Sequence, residues 1–210
     1  MAGAKLEALD LAALLCSRVC HDLISPVGAI VNGLEVMEED KSEETKAFAL
    51  DLIKSSVKKA SARLQFCRLA FGAAGSAGAQ IDLGDTEVVS RGFLEDNKTK
   101  LNWELARALL PKNRVKLLLN MLLIAGQTIP RGGVLTVASV GSGEAMGFRV
   151  TAAGLNARMP QQVLGLLAAE ADGAIDAHAV QPYYTGLLAR DCGLSVALAP
   201  EGETIVVTAA

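Results

Sequence analysis

Apolar residues in the first third of the chain recur in alternating steps of three and four. Leu9, Ala13, Cys16, Cys20, Leu23, Val27, Ile30, Leu34 and Met37 form one such series, and Leu50, Ile53, Val57, Ala60, Leu64, Cys67 and Phe71 form a second. This is heptad spacing, and it predicts two helices that each pack along one seam. The first is expected to run from about Leu6 to Glu38 and to end at Glu39-Asp40-Lys41. Ser42 is the expected cap of the second, with Glu43 and Glu44 in its first turn, where carboxylates suit the positive end of the helix dipole. So short a connection forces an antiparallel hairpin. Two helices alone cannot bury continuous seams, whereas two hairpins around a twofold axis can do so as a four-helix bundle. Homodimerisation is therefore expected.

The texture changes after Gly72–Gln80, a Gly/Ala/Ser stretch that reads as a flexible linker dividing residues 1–75 from residues 76–210. Beyond it, Asp85 to Glu95 reads as helix and Leu101 to Leu105 as extended. Lys112 to Gly126 is a strongly apolar helix containing Leu117, Leu118, Met121 and Leu122. Val134 to Val140 and Gly147 to Ala152 read as a β-hairpin, and Gln161 to Glu170 and Gln181 to Arg190 as helices. Leu194 to Ala199 and Thr204 to Thr208 close the chain as strands around the turn at Pro200-Glu201-Gly202. The class predicted is α+β: a helical hairpin followed by a two-layer α/β sandwich.

Composition narrows the function without naming it. The chain has 210 residues, 51% hydrophobic and only 4% aromatic, which suits a helical bundle beside a small α/β unit. A net charge of −3 with no basic stripe argues against a nucleic-acid partner. No uninterrupted apolar run approaches membrane-spanning length and no signal-peptide pattern opens the chain, so no membrane partner is expected. The four cysteines follow neither disulfide nor zinc spacing, which points to a reducing cytoplasm.

The candidate chemistry lies in the first helix. His21 directly follows the seam position Cys20, so its imidazole is expected to face water. A neutral imidazole nitrogen is nucleophilic near physiological pH and can carry a phosphoryl group as a phosphoramidate. Pro26 lies mid-helix, where it removes a backbone donor and is expected to bend the helix one turn beyond His21. Cysteines before a histidine also suggest haem attachment, but that motif needs two residues between its cysteines and Cys16 and Cys20 have three. Both are read as small buried seam residues.

The stretch His21-Asp22-Leu23-Ile24-Ser25-Pro26 resembles the H-box of histidine kinases and phosphotransferases. A dimerising hairpin with an H-box followed by an α/β sandwich resembles a histidine kinase core, the second part being similar to the GHKL (Bergerat) ATP-binding fold. Asn120 to Ile124, followed by Pro130-Arg131-Gly132-Gly133, resembles the kinase N-box, yet Ile124 stands where the second Asn would ligate Mg²⁺, and an alkyl chain offers that ion nothing. The adenine loop aligns with Ala152 to Asn156, so the Asp that would hold adenine is absent. No Gly-x-Gly loop precedes Tyr183 to Leu187 to cradle phosphates. The chain is identified as a member of the alphaproteobacterial ChpT family of histidine phosphotransferases. The match rests on Cys20 to Pro26, Ala29 to Leu34, and Leu64 to Ala73.

The resemblance implies a relay of phosphoryl groups between receiver-domain aspartates through His21, without kinase activity, ATP or a metal of its own. Mg²⁺ would come from the receiver. The implied partners are a hybrid kinase receiver similar to that of CckA and response regulators similar to CtrA and CpdR. Residues one turn from His21 are expected to frame docking: Ser17, Arg18 and Ser25, then Gly28, Ala29, Asn32 and Gly33. Arg18 either steers the phosphoryl charge or is a solvated surface residue. Asp22 either orients the imidazole or stands idle. His178 is read as structural or surface. Two other functions are carried beside this one: an atypical ATP-using histidine kinase, and an adaptor that docks receivers without transferring phosphate.

Overall fold

A computed structural model of the chain describes residues 6–72, 78–141, 143, 146–168 and 175–210. Helix α1 spans Ala8–Glu39 and α2 spans Glu43–Ala70. The connection is held by its own side chains. Ser42 Oγ accepts from the Thr45 N–H at 3.3 Å, while the Asp40 carboxylate accepts from the Ser42 N–H at 2.8 Å and from Thr45 Oγ1 at 2.7 Å. These bonds satisfy donors that the first turn of α2 leaves open.

The broad apolar stripe of α1 divides into two. Pro26 and Gly33 are buried against α2, and Leu23, Ile30 and Met37 are half-buried beside them. A Cβ at Gly33 would stand 2.7 Å from Ile53 Cγ1, so this glycine lets the two helices approach closely. The other half is uncovered in a single chain: Ile24, Val27, Val31 and Leu34 of α1 and Leu50, Val57 and Leu64 of α2 are between 42% and 71% exposed. Cys16 and Cys20 are exposed too, contrary to the expectation that they are buried, and Cys16 borders an open cavity with Leu64 and Cys67 of α2. By length and composition α1 is apolar enough to cross a membrane, although no uninterrupted apolar run is visible in the sequence. Arg18 and Asp22 interrupt the run without lowering its average much. In the fold α1 pairs with α2.

The second unit contains β1 (Gln80–Asp82), α3 (Leu83–Leu94), β2 (Thr99–Trp103), β3 (Leu109–Pro111), α4 (Lys112–Thr128), β4 (Gly133–Val140), β5 (Gly147–Ala153), α5 (Gln161–Leu167), α6 (Val180–Asp191), β6 (Val196–Glu201) and β7 (Thr204–Ala209). A five-stranded sheet has the order β2-β4-β5-β7-β6, with β2 parallel to β4 and the other pairs antiparallel. Alternation sets its buried face: Leu135 and Val137 of β4 and Phe148, Val150 and Ala152 of β5 are fully buried. Helix α4 is buried on every side from Val115 to Ala125, because the sheet, α2, α3 and α6 all pack on it. The α/β sandwich is as expected. The small ribbon of β1 and β3 is an addition, its strands of three residues being too short to show a period. Helix α5 ends at Leu167, and the expected continuation to Glu170 falls outside the described residues.

The two units share a core. Phe66 and Ala70 of α2 are buried in the same cluster as α4 and the sheet, and Phe66 stacks on Phe93 of α3 with ring centroids 4.1 Å apart. Helix α6 reaches the other helix: Val180 and Tyr183 pack with Leu11, Leu14 and Leu15 of α1, and the Leu6 N–H donates to Tyr183 Oη at 3.2 Å. The boundary at residues 75 and 76, with residues 73–77 of the expected linker, lies outside the described residues. Gln80, the expected linker end, already opens β1.

Candidate functional site

His21 stands on the outer face of α1 with 61% of its side chain exposed, as its place beside the seam predicts. Its neighbour Asp22 is quite different. The Asp22 carboxylate is 15% exposed and accepts from Arg18 Nε, one turn back, at 3.1 and 3.2 Å. Arg18 is 14% exposed and paired with Asp22, so it is not a solvated surface residue. His21 Nδ1 lies 3.8 Å from Asp22 Oδ1, beyond hydrogen-bond reach. The Asp22 charge is felt on its inner side: burial, and then Asp22, pushes the Cys67 thiol up to about 11. Cys67 is therefore a neutral, inert thiol at physiological pH.

Pro26 explains a contact that sequence reasoning missed. Proline has no N–H, so the carbonyl four residues back, that of Asp22, loses its helical partner. Arg63 of α2 replaces it, with Nη1 donating to Asp22 O at 2.6 Å. Arg18 thus fixes the side chain that follows His21, and Arg63 fixes the backbone there. Only the orphaned carbonyl was visible in the sequence. Its donor lies on the other helix.

Ser17, His21, Ser25, Gly28 and Asn32 follow steps of four and three and are all exposed, so they form one open stripe. A Cβ built on Gly28 meets nothing within 4 Å, and Ala29 is half-buried beside the stripe. Gly33 departs from expectation. It is buried against Ile53 inside the hairpin, where no docking partner reaches it. His178 is at the surface, as read, but with a contact not foreseen: its ring lies edge-on to that of His21, with centroids 5.1 Å apart and planes at 79°. The Gly/Ala-rich loop around it carries no local signal for this, because the contact joins the two units.

The positions aligned with a nucleotide site are taken into the core or bonded inward. Ile124 and Ala152 are fully buried in the apolar core. Asn120, also fully buried, spends its amide inward: Nδ2 donates to Ala70 O at 3.1 Å and to Lys116 O at 2.9 Å, and Oδ1 accepts from Gln181 Nε2 at 3.1 Å. Among the described residues no group of three or more His, Cys, Asp or Glu side chains is placed to hold a metal.

Comparison with known proteins adds three findings. Residues 83–204 match the family model of the histidine phosphotransferase C-terminal domain. Over 205 residues, 97% of this chain and 97% of the relative, the sequence is 55% identical to the protein phosphotransferase ChpT of Brucella abortus (strain 2308). A bacterial phosphotransferase solved at 1.7 Å aligns over 100% of both chains with 51% identity and a TM-score of 0.90.

Proposed function

The chain belongs to the histidine phosphotransferase family, and from that premise we propose that His21 is the residue that carries the phosphoryl group. The observation that supports this most directly is the open stripe around His21: an exposed imidazole among small side chains, next to a residue whose backbone is held by Arg63 and whose side chain is held by Arg18. The outward nitrogen attacks an aspartyl phosphate on a receiver domain. The P–O bond breaks toward the receiver's carboxylate as the P–N bond forms, and the reverse step delivers the group to another receiver. Such transfer depends mainly on in-line positioning and charge neutralisation, and the receiver brings the Mg²⁺.

In this reading the chain uses no ATP, since apolar side chains occupy the positions that would hold it. Ser17, Ser25, Gly28, Ala29 and Asn32 form the floor on which a receiver helix settles, and Gly33 serves the hairpin instead. The receivers are those of a CckA-like hybrid kinase and of CtrA-like and CpdR-like regulators, met in the cytoplasm by a homodimer of this chain. The uncovered apolar stripe on α1 and α2 supports the dimer. No observation favours a nucleotide-using kinase or a non-catalytic adaptor over this reading.

One labelling experiment tests it. Label is expected to pass from a phosphorylated receiver to the wild-type chain, incubation with labelled Mg²⁺–ATP alone is expected to leave the chain unlabelled, and His21→Ala is expected to take up no label from either source. A labelled His21→Ala protein removes His21 from its role, and labelling by ATP revives the kinase reading.

A further inference from the structure

The sequence contains two histidines, one on the hairpin and one in the second unit, and the fold brings their rings together at 5.1 Å. The placement of His178 is held from both sides. The Asp176 carboxylate accepts from the backbone N–H groups of His178 at 2.9 Å and Ala179 at 2.8 Å, which fixes the turn that presents the ring. Those two donors also hold the Asp176 carboxyl below its ordinary range, so it stays ionised and bonded at physiological pH. Immediately after the turn, Val180 and Tyr183 pack on Leu11, Leu14 and Leu15 of α1, two to three turns before His21 on the same helix. His178 itself is exposed, so its side chain serves no core.

The described side chains nearest His21 on its own helix are bonded inward. Asp22 is taken by Arg18 and lies 3.8 Å from His21 Nδ1. Arg18 gives its Nε–H to the Asp22 carboxylate, and Arg63 gives an Nη1–H to the Asp22 backbone carbonyl. The bonds these two arginines make run inward to Asp22, whereas His178 stands beside the exposed imidazole. An imidazole presents at least one N–H in either protonation state.

Resting on the reading of His21 as the acceptor, we propose that His178 is a second catalytic residue, donating an N–H to a non-bridging oxygen of the phosphoryl group as it moves between the receiver's aspartate and His21. The covalent step is unchanged. The P–O bond breaks with its electron pair leaving on the carboxylate oxygen, the P–N bond forms from the imidazole lone pair, and His178 makes and breaks only a hydrogen bond. The donor is placed before the reaction begins, and such donors act most strongly where charge spreads over phosphoryl oxygens. The proposal also gives the second unit a catalytic task that needs no nucleotide: it delivers His178 to the hairpin.

The test uses the full-length chain and an isolated receiver domain phosphorylated with acetyl phosphate and Mg²⁺. Single-turnover transfer is followed by rapid quench over a range of receiver concentrations for the wild type, His178→Ala, His178→Asn and His21→Ala, with circular dichroism to show equal folding. The expected result is that His178→Ala lowers the rate constant at saturating receiver by roughly 10- to 100-fold, the effect of losing one hydrogen bond to a charged group. The half-saturating concentration stays within about twofold of wild type, and His178→Asn, which keeps an N–H donor, recovers much of the rate. A wild-type rate constant in His178→Ala, a loss confined to the half-saturating concentration, or equal losses in the Ala and Asn variants overturns the proposal. In any of these cases, a His21→Ala protein that stays unlabelled leaves the assignment of His21 standing. A labelled His21→Ala protein overturns that assignment and the proposal with it.

Discussion

Pro26 and Arg63 act as one device although they lie on different helices. The proline cancels one hydrogen bond of α1, and the carbonyl it releases belongs to the residue after His21. Left alone in a partly buried setting, that carbonyl would go without the partner a buried acceptor needs, and the helix would be free to bend there. The Arg63 guanidinium closes the gap at 2.6 Å, while Arg18 pairs with the Asp22 carboxylate. Replacing Arg63 by Met keeps the apolar stem and removes the donor. The variant is expected to lose about 1–3 kcal/mol of unfolding free energy, the cost of an unsatisfied buried group, and to transfer phosphate more slowly than wild type. Arg63→Lys is expected to fall between them, because one ammonium donor reaches less far than a guanidinium fork. Denaturant melts checked against transfer rates measure both effects, and a Met variant as stable and as fast as wild type contradicts the account. The sequence shows half of this device. His21, Asp22 and Pro26 are legible because their relation is local spacing on one helix, whereas Arg63 and His178 come from elsewhere in the chain and leave no periodic trace.

Helix α4 has the opposite character, being a core element that keeps one polar residue at its centre. Asn120 joins three elements, since its amide holds the last turn of α2 through Ala70 O and the start of α6 through Gln181, while Nδ2 also bonds Lys116 O within α4. In a kinase-like nucleotide site this residue type would face a ligand, whereas here its bonding capacity is spent on the fold. Asn120→Leu is expected to cost roughly 1–3 kcal/mol, because it strands the Ala70 carbonyl in the core, while Gln181 Nε2 keeps the backbone carbonyl of residue 120 and Thr185 Oγ1 as acceptors. Thermal unfolding measures this, and a variant melting at the wild-type temperature contradicts it. Elements of this length were the most legible part of the fold. The ends of α1, α2, α3 and α6 fall within about two residues of where caps and periodicity place them, which is the usual uncertainty of a helix end. The alternating strands were equally plain. The pairing of β1 with β3 was not, nor was the inclusion of Phe66 and Ala70 in the core of the second unit, since both depend on contacts between distant segments. For the same reason Gly33, read as a docking residue from its size and its turn, is packing against Ile53.

At the scale of the whole molecule, the packing of one chain leaves one problem unsolved. Half of the apolar stripe on α1 finds α2, and the other half continues as Cys20, Ile24, Val27, Val31 and Leu34 in heptad steps with nothing over it. Leu50, Val57 and Leu64 extend the same uncovered surface along α2 at intervals of seven. Two copies facing each other would bury both stripes as a bundle core, leaving the stripe of His21, Ser25 and Asn32 outside for a receiver. Covering a face of this length on both helices is consistent with a standard interface of roughly 800 Å² per partner. Because these residues are exposed in the single chain, charging them tests the dimer without first breaking the hairpin. The wild type is expected to sediment as a dimer at micromolar concentration, and Ile24→Glu combined with Val31→Glu is expected to sediment as a monomer with an unchanged far-ultraviolet circular dichroism spectrum. Unpaired carboxylates in an apolar seam are strongly disfavoured, whereas the same carboxylates on a solvated helix face are not. A monomeric wild type, or a double variant that still dimerises, would mean that the stripe is covered by something other than a second copy.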